Sequence, residues 1–375
     1  MEERIFVSGP SITEKEIAYV TDAVKTAWYT HANDYIEKFE NAVAGYVGRK
    51  YAIAMPSCTS AIQLSIMVLG LKEGDEVILP DTTWISTCSP YHYFGVKPVF
   101  ADIDKDTWCI SAEDVEKRIT DKTKAIYTVN LYGNVPDYSR LMEISGKYHI
   151  PILEDAAESM GTKVVERHTG SFGLISVFSF HGSKMMTTGE GGMFLTDDSH
   201  IYERALKLRD QGRCASGGRM FWHDEIADKF KMSSLQAALG LAQIERVEEL
   251  VAMKNQIFNW YQEEFSGFPD ISLNTPGENV RCNYWMDTIV WNKDRYKISK
   301  EKMIAQLKEH NIDSRPFFYP LSDMPLFEYL GQKGQNKVAY DLSERSINMP
   351  SDINITREQV HRAAGRIKGI LESVR

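Results

Sequence analysis

The sequence predicts an α/β fold in which a mostly parallel β-sheet lies between layers of helices. The first observation is that short apolar runs alternate regularly with helical patterns between residues 51 and 184 of the 375-residue chain. The second is that a further, smaller α/β pattern follows residue 245. We therefore expect a large domain with an N-terminal arm at residues 1–245 and a smaller C-terminal α/β domain at residues 246–375.

Short apolar runs bounded by polar or glycine-containing turns mark the strands. These runs lie at residues 51–55, 76–80, 97–102, 125–130, 151–155 and 176–180. Apolar residues at helical spacing, preceded by capping residues such as Thr13, mark the helices. These helices lie at residues 13–24, 35–47, 61–70, 112–119 and 136–147.

The C-terminal part continues the alternation with fewer elements. One long amphipathic helix is predicted from Met232 toward Trp260, and the domain boundary falls inside it. A strand at residues 283–291, a helix at residues 299–310 and a closing helix capped by Thr356 complete the small domain.

Composition excludes several classes of protein. A formal net charge of -9 lacks the basic excess of a nucleic-acid-binding protein. No apolar run is long enough to cross a bilayer, and the N-terminal residues lack a signal-peptide core. The five cysteines have no metal-binding spacing, which favours reduced thiols in a cytoplasmic protein without a metal site. They are Cys58, Cys88, Cys109, Cys214 and Cys282.

A single lysine, Lys184, lies where the predicted strand at residues 176–180 gives way to a glycine-rich turn. An amine in this position can reach a carbonyl group as a nucleophile. For such a lysine alone, a solvent-exposed strand end is the simpler interpretation. The residues that the fold brings to the same place favour the nucleophile.

Polar and aromatic residues follow several of the predicted strands. Thr59, Trp84 and Asp155 lie at or just past strand ends. Because ligands of parallel sheets bind beyond the carboxyl ends of the strands, we expect them to share one rim with Lys184. The helix after Ser57 can bind a phosphate through its free amides, although Ser57 as an ordinary helix cap is the alternative.

Pyridoxal 5'-phosphate explains these features together. Its aldehyde suits a lysine amine, its ring suits an aromatic side chain, and its phosphate suits a helix N-terminus. A carboxylate beside the pyridine nitrogen keeps the ring protonated, so that it acts as an electron sink. Ser179, on the strand that precedes Lys184, offers a further hydroxyl to the phosphate.

Three motifs resemble the nucleotide-sugar aminotransferases of the DegT/DnrJ/StrS family. They are Pro151-Ile-Leu-Glu-Asp-Ala-Ala-Glu158, Phe178-Ser-Phe-His-Gly-Ser-Lys184 with Thr188-Gly-Glu-Gly-Gly192, and Met232-Ser-Ser-Leu-Gln-Ala-Ala238. The family belongs to the fold-type-I, aspartate-aminotransferase-like, pyridoxal-phosphate enzymes. The resemblance extends from Trp28 to the stretch at residues 348–350.

The resemblance implies a role for each residue of the rim. Lys184 would bond covalently to the cofactor aldehyde and act as general base, and Asp155 would pair with the pyridine nitrogen. Trp84 would stack on the ring, where the family more often has Tyr or Phe. Thr59 and Ser179 would hold the phosphate.

Further candidates follow from the same resemblance. They are Cys58, Glu158 and Lys229 at the cofactor, His181 in catalysis, and Trp222, His223, Arg315 and Tyr319 at the substrate. For His181 a hydrogen-bonded strand histidine is the alternative, and for Glu158 the start of a helix. Trp222 and His223 also fit an ordinary surface loop.

Two positions depart from the family pattern. The phosphate turn is Ser57-Cys58-Thr59 instead of Asn-Gly-Thr, so we expect a backbone cost at Cys58. Lys229 stands where the family commonly sends an asparagine from the partner subunit to the phosphate. We expect a homodimer with shared sites, in which Gly217 and Gly218 give this loop its reach.

The resemblance is greatest to perosamine synthases, which use GDP-4-keto-6-deoxymannose. It implies transfer of an amino group from L-glutamate to C4 of a nucleotide-linked keto sugar, for surface polysaccharide biosynthesis. An aminotransferase for an oxidised octulosonate remains an alternative, as does a catalytically idle sugar-binding regulator. A dehydratase would carry histidine in place of Lys184, and an NAD-dependent sugar enzyme would carry G-x-G-x-x-G.

Overall fold

A computed structural model describes residues 3–213, 219 and 221–375. The strands are β1 (Tyr51–Met55), β2 (Glu76–Pro80), β3 (Lys97–Ala101), β4 (Thr123–Val129), β5 (Ile152–Asp155), β6 (Lys163–Val164), β7 (Arg167–His168), β8 (Ile175–Ser179), β9 (Gly192–Thr196), β10 (Ile271–Leu273), β11 (Val280–Arg281), β12 (Thr288–Trp291), β13 (Arg315–Pro316) and β14 (Ser346–Asn348). The helices are α1 (Glu14–Thr26), α2 (Asp34–Val47), α3 (Cys58–Leu69), α4 (Ser89–His92), α5 (Ala112–Arg118), α6 (Tyr138–Tyr148), α7 (Ser199–Arg209), α8 (Ser234–Ile244), α9 (Val247–Phe265), α10 (Lys300–Glu309), α11 (Lys337–Glu344) and α12 (Arg357–Ser373).

The central sheet has seven strands in the order β1-β9-β8-β5-β4-β2-β3. Strand β9 runs antiparallel to both of its neighbours, and the other pairings are parallel. Almost all residues of β2, β5, β8 and β9 are buried, as expected for strands covered by helices on both faces. The α/β class with a mostly parallel sheet is therefore confirmed.

A second, four-stranded antiparallel sheet, in the order β10-β12-β14-β13, forms the centre of the C-terminal part. A separate apolar cluster with residues from α9, α10 and α12 packs against it. The N-terminal arm contacts this part as well as the apolar cluster of the large part. Ile5 pairs with Ile312, and the Val7 carbonyl accepts the Ser351 amide at 3.0 Å. The boundary between residues 245 and 246 remains a prediction.

Two predicted elements are wrong. The long helix from Met232 is two helices, α8 and α9, because Arg246 between them has non-helical dihedrals, with φ -113° and ψ 7°. The guanidinium of Arg246 is held there by Glu16 at 2.7 Å. The strand predicted at residues 283–291 begins only at Thr288, so residues 283–287 lie outside the sheet.

The α-helix bounds elsewhere follow the sequence signals. Thr13 and Thr356 cap α1 and α12 through reciprocal capping boxes, and Gly48 ends α2 in the left-handed conformation that glycine adopts at little cost. In the part of the chain that the structure describes, no helix is both long and apolar enough to cross a membrane.

Candidate active site

A cavity of about 430 Å³ lies at the carboxyl ends of strands β1, β2, β5 and β8. The structure brings Thr59, Trp84, Asp155 and Lys184 together in its lining, as the parallel topology predicts. Five further candidates from the sequence also line it: Cys58, Glu158, Ser179, His181 and Arg315.

The N-terminus of α3 forms one wall of this cavity. Ser57 caps the helix, and its Oγ accepts the Ser60 amide at 3.1 Å. The amides of Cys58 and Thr59, in the first turn, have no acceptor within the helix. Gly192 approaches this turn so closely that a Cβ would lie 2.6 Å from the Cys58 nitrogen. The wall therefore presents amide and hydroxyl donors suited to an anion.

Cys58 does not carry the backbone cost that we expected. It is the first residue of α3 and has no positive φ, because the cap conformation falls on Ser57, which is extended. Burial raises the pKa of the Cys58 thiol well above its usual value. Cys58 therefore lines the cavity as a small neutral group, and only the backbone donors of the turn serve an anion.

Asp155, the last residue of β5, is buried and lines the cavity. Its oxygens accept one hydrogen bond each, from Thr87 Oγ1 at 3.0 Å and from the Ala157 amide at 3.0 Å. Burial raises the pKa of Asp155 to about 6, although both hydrogen bonds oppose this shift. The adjacent Glu154 side chain, by contrast, accepts five hydrogen bonds. Asp155 thus has unused acceptor capacity, which a cationic donor would fill.

The turn after β8 carries Lys184 into the cavity. The Lys184 amide donates to the His181 carbonyl at 2.9 Å, which closes the turn. The Lys184 Nζ lies 3.2 Å from Glu158 Oε1 and 3.6 Å from the centre of the Trp285 ring. The Lys184 side chain is only 14% exposed. A primary amine is thereby fixed among the groups of the α3 wall and Asp155.

Trp84 and His181 lie on the open side of the cavity. The Trp84 side chain is 58% exposed, and its ring centre is 6.1 Å from that of Phe318. His181 Nδ1 accepts the Ser183 amide at 3.2 Å, which leaves the proton on Nε2, 3.6 Å from Glu190 Oε1. His181 is therefore held by its own turn, and the Glu190 carboxylate lies nearby.

Arg315 reaches the cavity from the C-terminal part. Its guanidinium donates to Ser8 Oγ at 3.0 Å, and burial lowers its pKa. The segment after Arg315 is tied to the end of β2 by Asp81, whose carboxylate accepts the amide and the hydroxyl of Ser322 at 2.7 and 2.6 Å. This link joins the two parts of the chain beside the cavity.

Tyr319 is not among the residues that line the cavity. Its hydroxyl donates to Glu301 Oε1 at 3.0 Å, and its ring lies 3.5 Å from Lys300 Nζ. These contacts with α10 hold the ring away, and the neighbouring Phe318 lines the cavity instead.

Trp222, His223 and Lys229 also lie outside the cavity of their own chain. Lys229 forms an ion pair with Asp210, and His223 Nδ1 donates to the Gln211 carbonyl at 2.8 Å. The Trp222 side chain is 56% exposed. Gly217 and Gly218, like Cys214, lie outside the described residues.

The sequence did not point to Thr87 or Trp285, which contact Asp155 and Lys184 respectively. Thr87 lies four residues after Thr83, and their hydroxyls are 2.9 Å apart, a spacing that the helical turn after Trp84 produces. The sequence predicts a strand at residues 283–291, which includes Trp285. No sequence signal shows that residues 283–287 lie outside the sheet.

Comparison with known proteins identifies the chain. The model of the DegT/DnrJ/EryC1/StrS aminotransferase family matches residues 10–368. The chain belongs to this family. It is 37% identical over 354 residues to the GDP-perosamine synthase of Escherichia coli O157:H7, covering 94% of this chain and 95% of the relative. It is 33% identical to the GDP-perosamine synthase of Vibrio cholerae, covering 98% and 99%.

Solved structures agree. A Streptococcus pneumoniae protein described as a putative sugar aminotransferase, solved in its pyridoxal-phosphate form, superposes over the whole of both chains with a TM-score of 0.91 at 27% identity. The chain is therefore a pyridoxal-phosphate-dependent sugar aminotransferase with the fold of type I.

The cavity of this aminotransferase fits pyridoxal phosphate. The first turn of α3 offers amide donors for a phosphate, and Asp155 has unused acceptor capacity for a ring N–H. Lys184 supplies an amine suited to an aldehyde, and Trp84 supplies an exposed aromatic face. These donor and acceptor groups match the three chemical parts of the cofactor.

The raised pKa of Asp155 predicts a pH-dependent stability of the cofactor-free protein. Between the usual aspartate value of 3.8 and about 6, the folded state holds a proton that the unfolded state has lost. Stability therefore falls as pH rises through this window. Asp155→Asn removes that cost, so the cofactor-free variant should be more stable than the parent at pH 7.5, by about 1–3 kcal/mol.

Denaturant unfolding of both proteins at pH 7.5 and about pH 3 checks this expectation. The difference should become small near pH 3, which lies below the pKa of Asp155 in both the folded and the unfolded state. A variant that is less stable at pH 7.5, or equally shifted at both pH values, would contradict the account of Asp155.

Proposed function

We propose that this aminotransferase moves the amino group of L-glutamate to C4 of a nucleotide-linked 4-keto-6-deoxyhexose, and that its substrate is GDP-4-keto-6-deoxymannose. The identity of 33–37% over nearly the whole length of two GDP-perosamine synthases carries this proposal. The amino sugar formed would enter surface polysaccharide biosynthesis, with the enzyme acting in the cytoplasm.

The α3 wall holds the cofactor in this proposal. The amides of Cys58 and Thr59, with the hydroxyls of Thr59 and Ser179, bind the phosphate through hydrogen bonds and the helix dipole. Trp84 lies along the ring and reduces its access to water.

Asp155 holds a proton on the ring nitrogen. A buried, hydrogen-bonded carboxylate interacts strongly with a cationic N–H, since little water is present to weaken the attraction. The cofactor supplies an electron sink for the bond that breaks at the substrate carbon. Thr87 and Ala157 keep the carboxylate oriented throughout.

Lys184 acts at the reacting carbon. Its Nζ would hold the cofactor in the resting enzyme, and the free amine would act as general base for the proton at the donor's Cα. His181, held by Ser183 and Glu190, stands beside this turn and assists the proton movement. Glu158 also contacts the Lys184 amine.

The substrate is assigned to the open side of the cavity. Arg315 offers a half-buried guanidinium that suits a carboxylate or phosphate of a substrate. Tyr319, Trp222 and His223 lie outside the cavity of their own chain, so we assign them to the sugar nucleotide only at its outer edge or across a subunit interface.

A homodimer completes the site in this proposal. The segment at residues 212–231 of the sequence carries Arg213, Arg219 and Lys229, which suit the phosphates of cofactor and substrate. Because Lys229 does not line its own cavity, we assign it to the phosphate in the partner subunit. The ion pair with Asp210 would be exchanged for that contact.

Turnover tests the proposed reaction directly. Purified enzyme with L-glutamate and GDP-4-keto-6-deoxymannose should form 2-oxoglutarate and the 4-amino sugar in equal amounts. The Lys184→Ala variant should be inactive, and Asp155→Ala should lose several factors of ten, each equal to about 1.4 kcal/mol of transition-state stabilisation. The exposed Lys302→Ala is the matched control and should retain activity.

Conversion of an oxidised octulosonate instead of the nucleotide sugar would overturn the substrate assignment. Sugar binding without any amino transfer would indicate a regulator and would overturn the reaction itself. Mass spectrometry of a parallel incubation with the octulosonate reads the first outcome, and equilibrium dialysis with the nucleotide sugar reads the second.

Subunit mixing tests the shared site. Lys184→Ala and Lys229→Glu chains should each be inactive alone, and a mixed dimer should regain one of its two sites, the one with both lysines intact. The Asp210→Asn variant is the control, because it breaks the ion pair within the chain and leaves Lys229 in place. Heterodimers that form but stay inactive, or an active monomer, would contradict the shared site.

A further inference from the structure

The amine of Lys184 occupies a defined position between two side chains. Its Nζ lies 3.2 Å from Glu158 Oε1 and 3.6 Å from the centre of the Trp285 ring. The Glu158 and Lys184 side chains are only 5% and 14% exposed. A carboxylate and the face of an indole both attract an ammonium group, and burial strengthens the attraction.

Glu158 is held in place by a contact that does not involve Lys184. Its second oxygen, Oε2, accepts the Tyr132 amide at 2.9 Å. Tyr132 adopts the left-handed conformation, with φ 52° and ψ 23°, which is unfavourable for a buried aromatic residue. The strained residue Tyr132 is therefore the one whose backbone amide donates to Glu158.

Trp285 is likewise fixed independently of Lys184. Its Nε1 donates to the Ser183 carbonyl at 2.8 Å, one residue before the lysine. Its amide is bonded to Asn283 Oδ1 at 3.2 Å, and Asn283 Nδ2 donates to the Glu158 carbonyl at 3.1 Å. The segment that leaves the predicted strand thus ties the ring, the carboxylate and the lysine turn into one unit.

We propose that Glu158 and Trp285 form a holding site for the Lys184 amine during the part of the cycle in which it is not bonded to the cofactor. The inference rests on the proposed role of Lys184 as the lysine that bonds to the cofactor. Transamination must release this amine when the cofactor carries the amino group, and the chain must keep the amine within reach. Glu158 and Trp285 act as positioning residues, through Lys184.

The holding site has a physical purpose. A free lysine side chain has four rotatable bonds, and confining it costs conformational entropy. The ion pair and the ring contact offset this cost. Glu158→Gln is the informative change, because the amide oxygen can still accept the Tyr132 N–H while the charge is lost.

Competitive labelling of the full-length protein, stripped of cofactor, tests the proposal without relying on turnover. Acetic anhydride acylates only the uncharged amine, and peptide mass spectrometry reads Lys184 against the exposed Lys302. At pH 7.5 Lys184 should be acylated about tenfold faster in Glu158→Gln than in the parent, because the amine has lost the carboxylate that confines it. The curve of Lys184 labelling against time should become correspondingly steeper.

Glu190→Gln is the matched control, since it removes a carboxylate from the same cavity that faces His181 instead of Lys184. It should leave the Lys184 labelling curve unchanged. Trp285→Leu should move the curve in the same direction as Glu158→Gln, by a smaller amount. Identical curves in the parent and Glu158→Gln, or equal shifts in Glu158→Gln and Glu190→Gln, would overturn the proposal.

Failure of the proposed function is distinguishable from failure of this inference. If the cofactor is bonded to another lysine, the proposed catalytic role of Lys184 is wrong, whatever the result of the labelling. If the cofactor is on Lys184 but its labelling ignores Glu158, only the holding site falls.

Discussion

The buried carboxylate of Asp155 is the constraint around which the site is built. The sheet places it at the carboxyl end of β5, and among the described residues only two neutral donors reach it. Glu154, one residue earlier, shows the alternative, since five donors satisfy it completely. The five hydrogen bonds of Glu154 hold the surrounding segments in place. Asp155, with two, retains free acceptor capacity at a cost in folding stability. Such a cost in folding stability is common at functional sites, where ligand binding compensates for it.

The parallel sheet explains why separate stretches of sequence meet at that carboxylate. Strand ends from β1, β2, β5 and β8 share one edge, so a helix N-terminus, an aromatic side chain and a lysine turn converge there. The C-terminal part closes the site with Trp285, Phe318 and Arg315, and Asp81 ties its segment to β2 through Ser322. The cavity therefore depends on both sheets.

Local signals predicted most of the fold and the centre of the site. The strand at Tyr51–Met55 and the capped α1 and α12 follow from short-range chemistry, and Asp155 and Lys184 follow from their places at strand ends. What failed depends on contacts distant in sequence. Arg246 breaks a helix because Glu16 holds it, and Trp285 leaves a strand-like stretch to meet Ser183. The spacing of apolar residues within either segment does not indicate these distant partners.

The position of the cofactor bond tests the central claim most directly. Borohydride reduction of the purified enzyme, followed by proteolysis and peptide mapping, fixes pyridoxal phosphate to the residue that holds it. The account predicts the label on Lys184, in the peptide that contains His181 and Ser183. Label on another lysine such as Lys229, or a reduced protein without label, would contradict it.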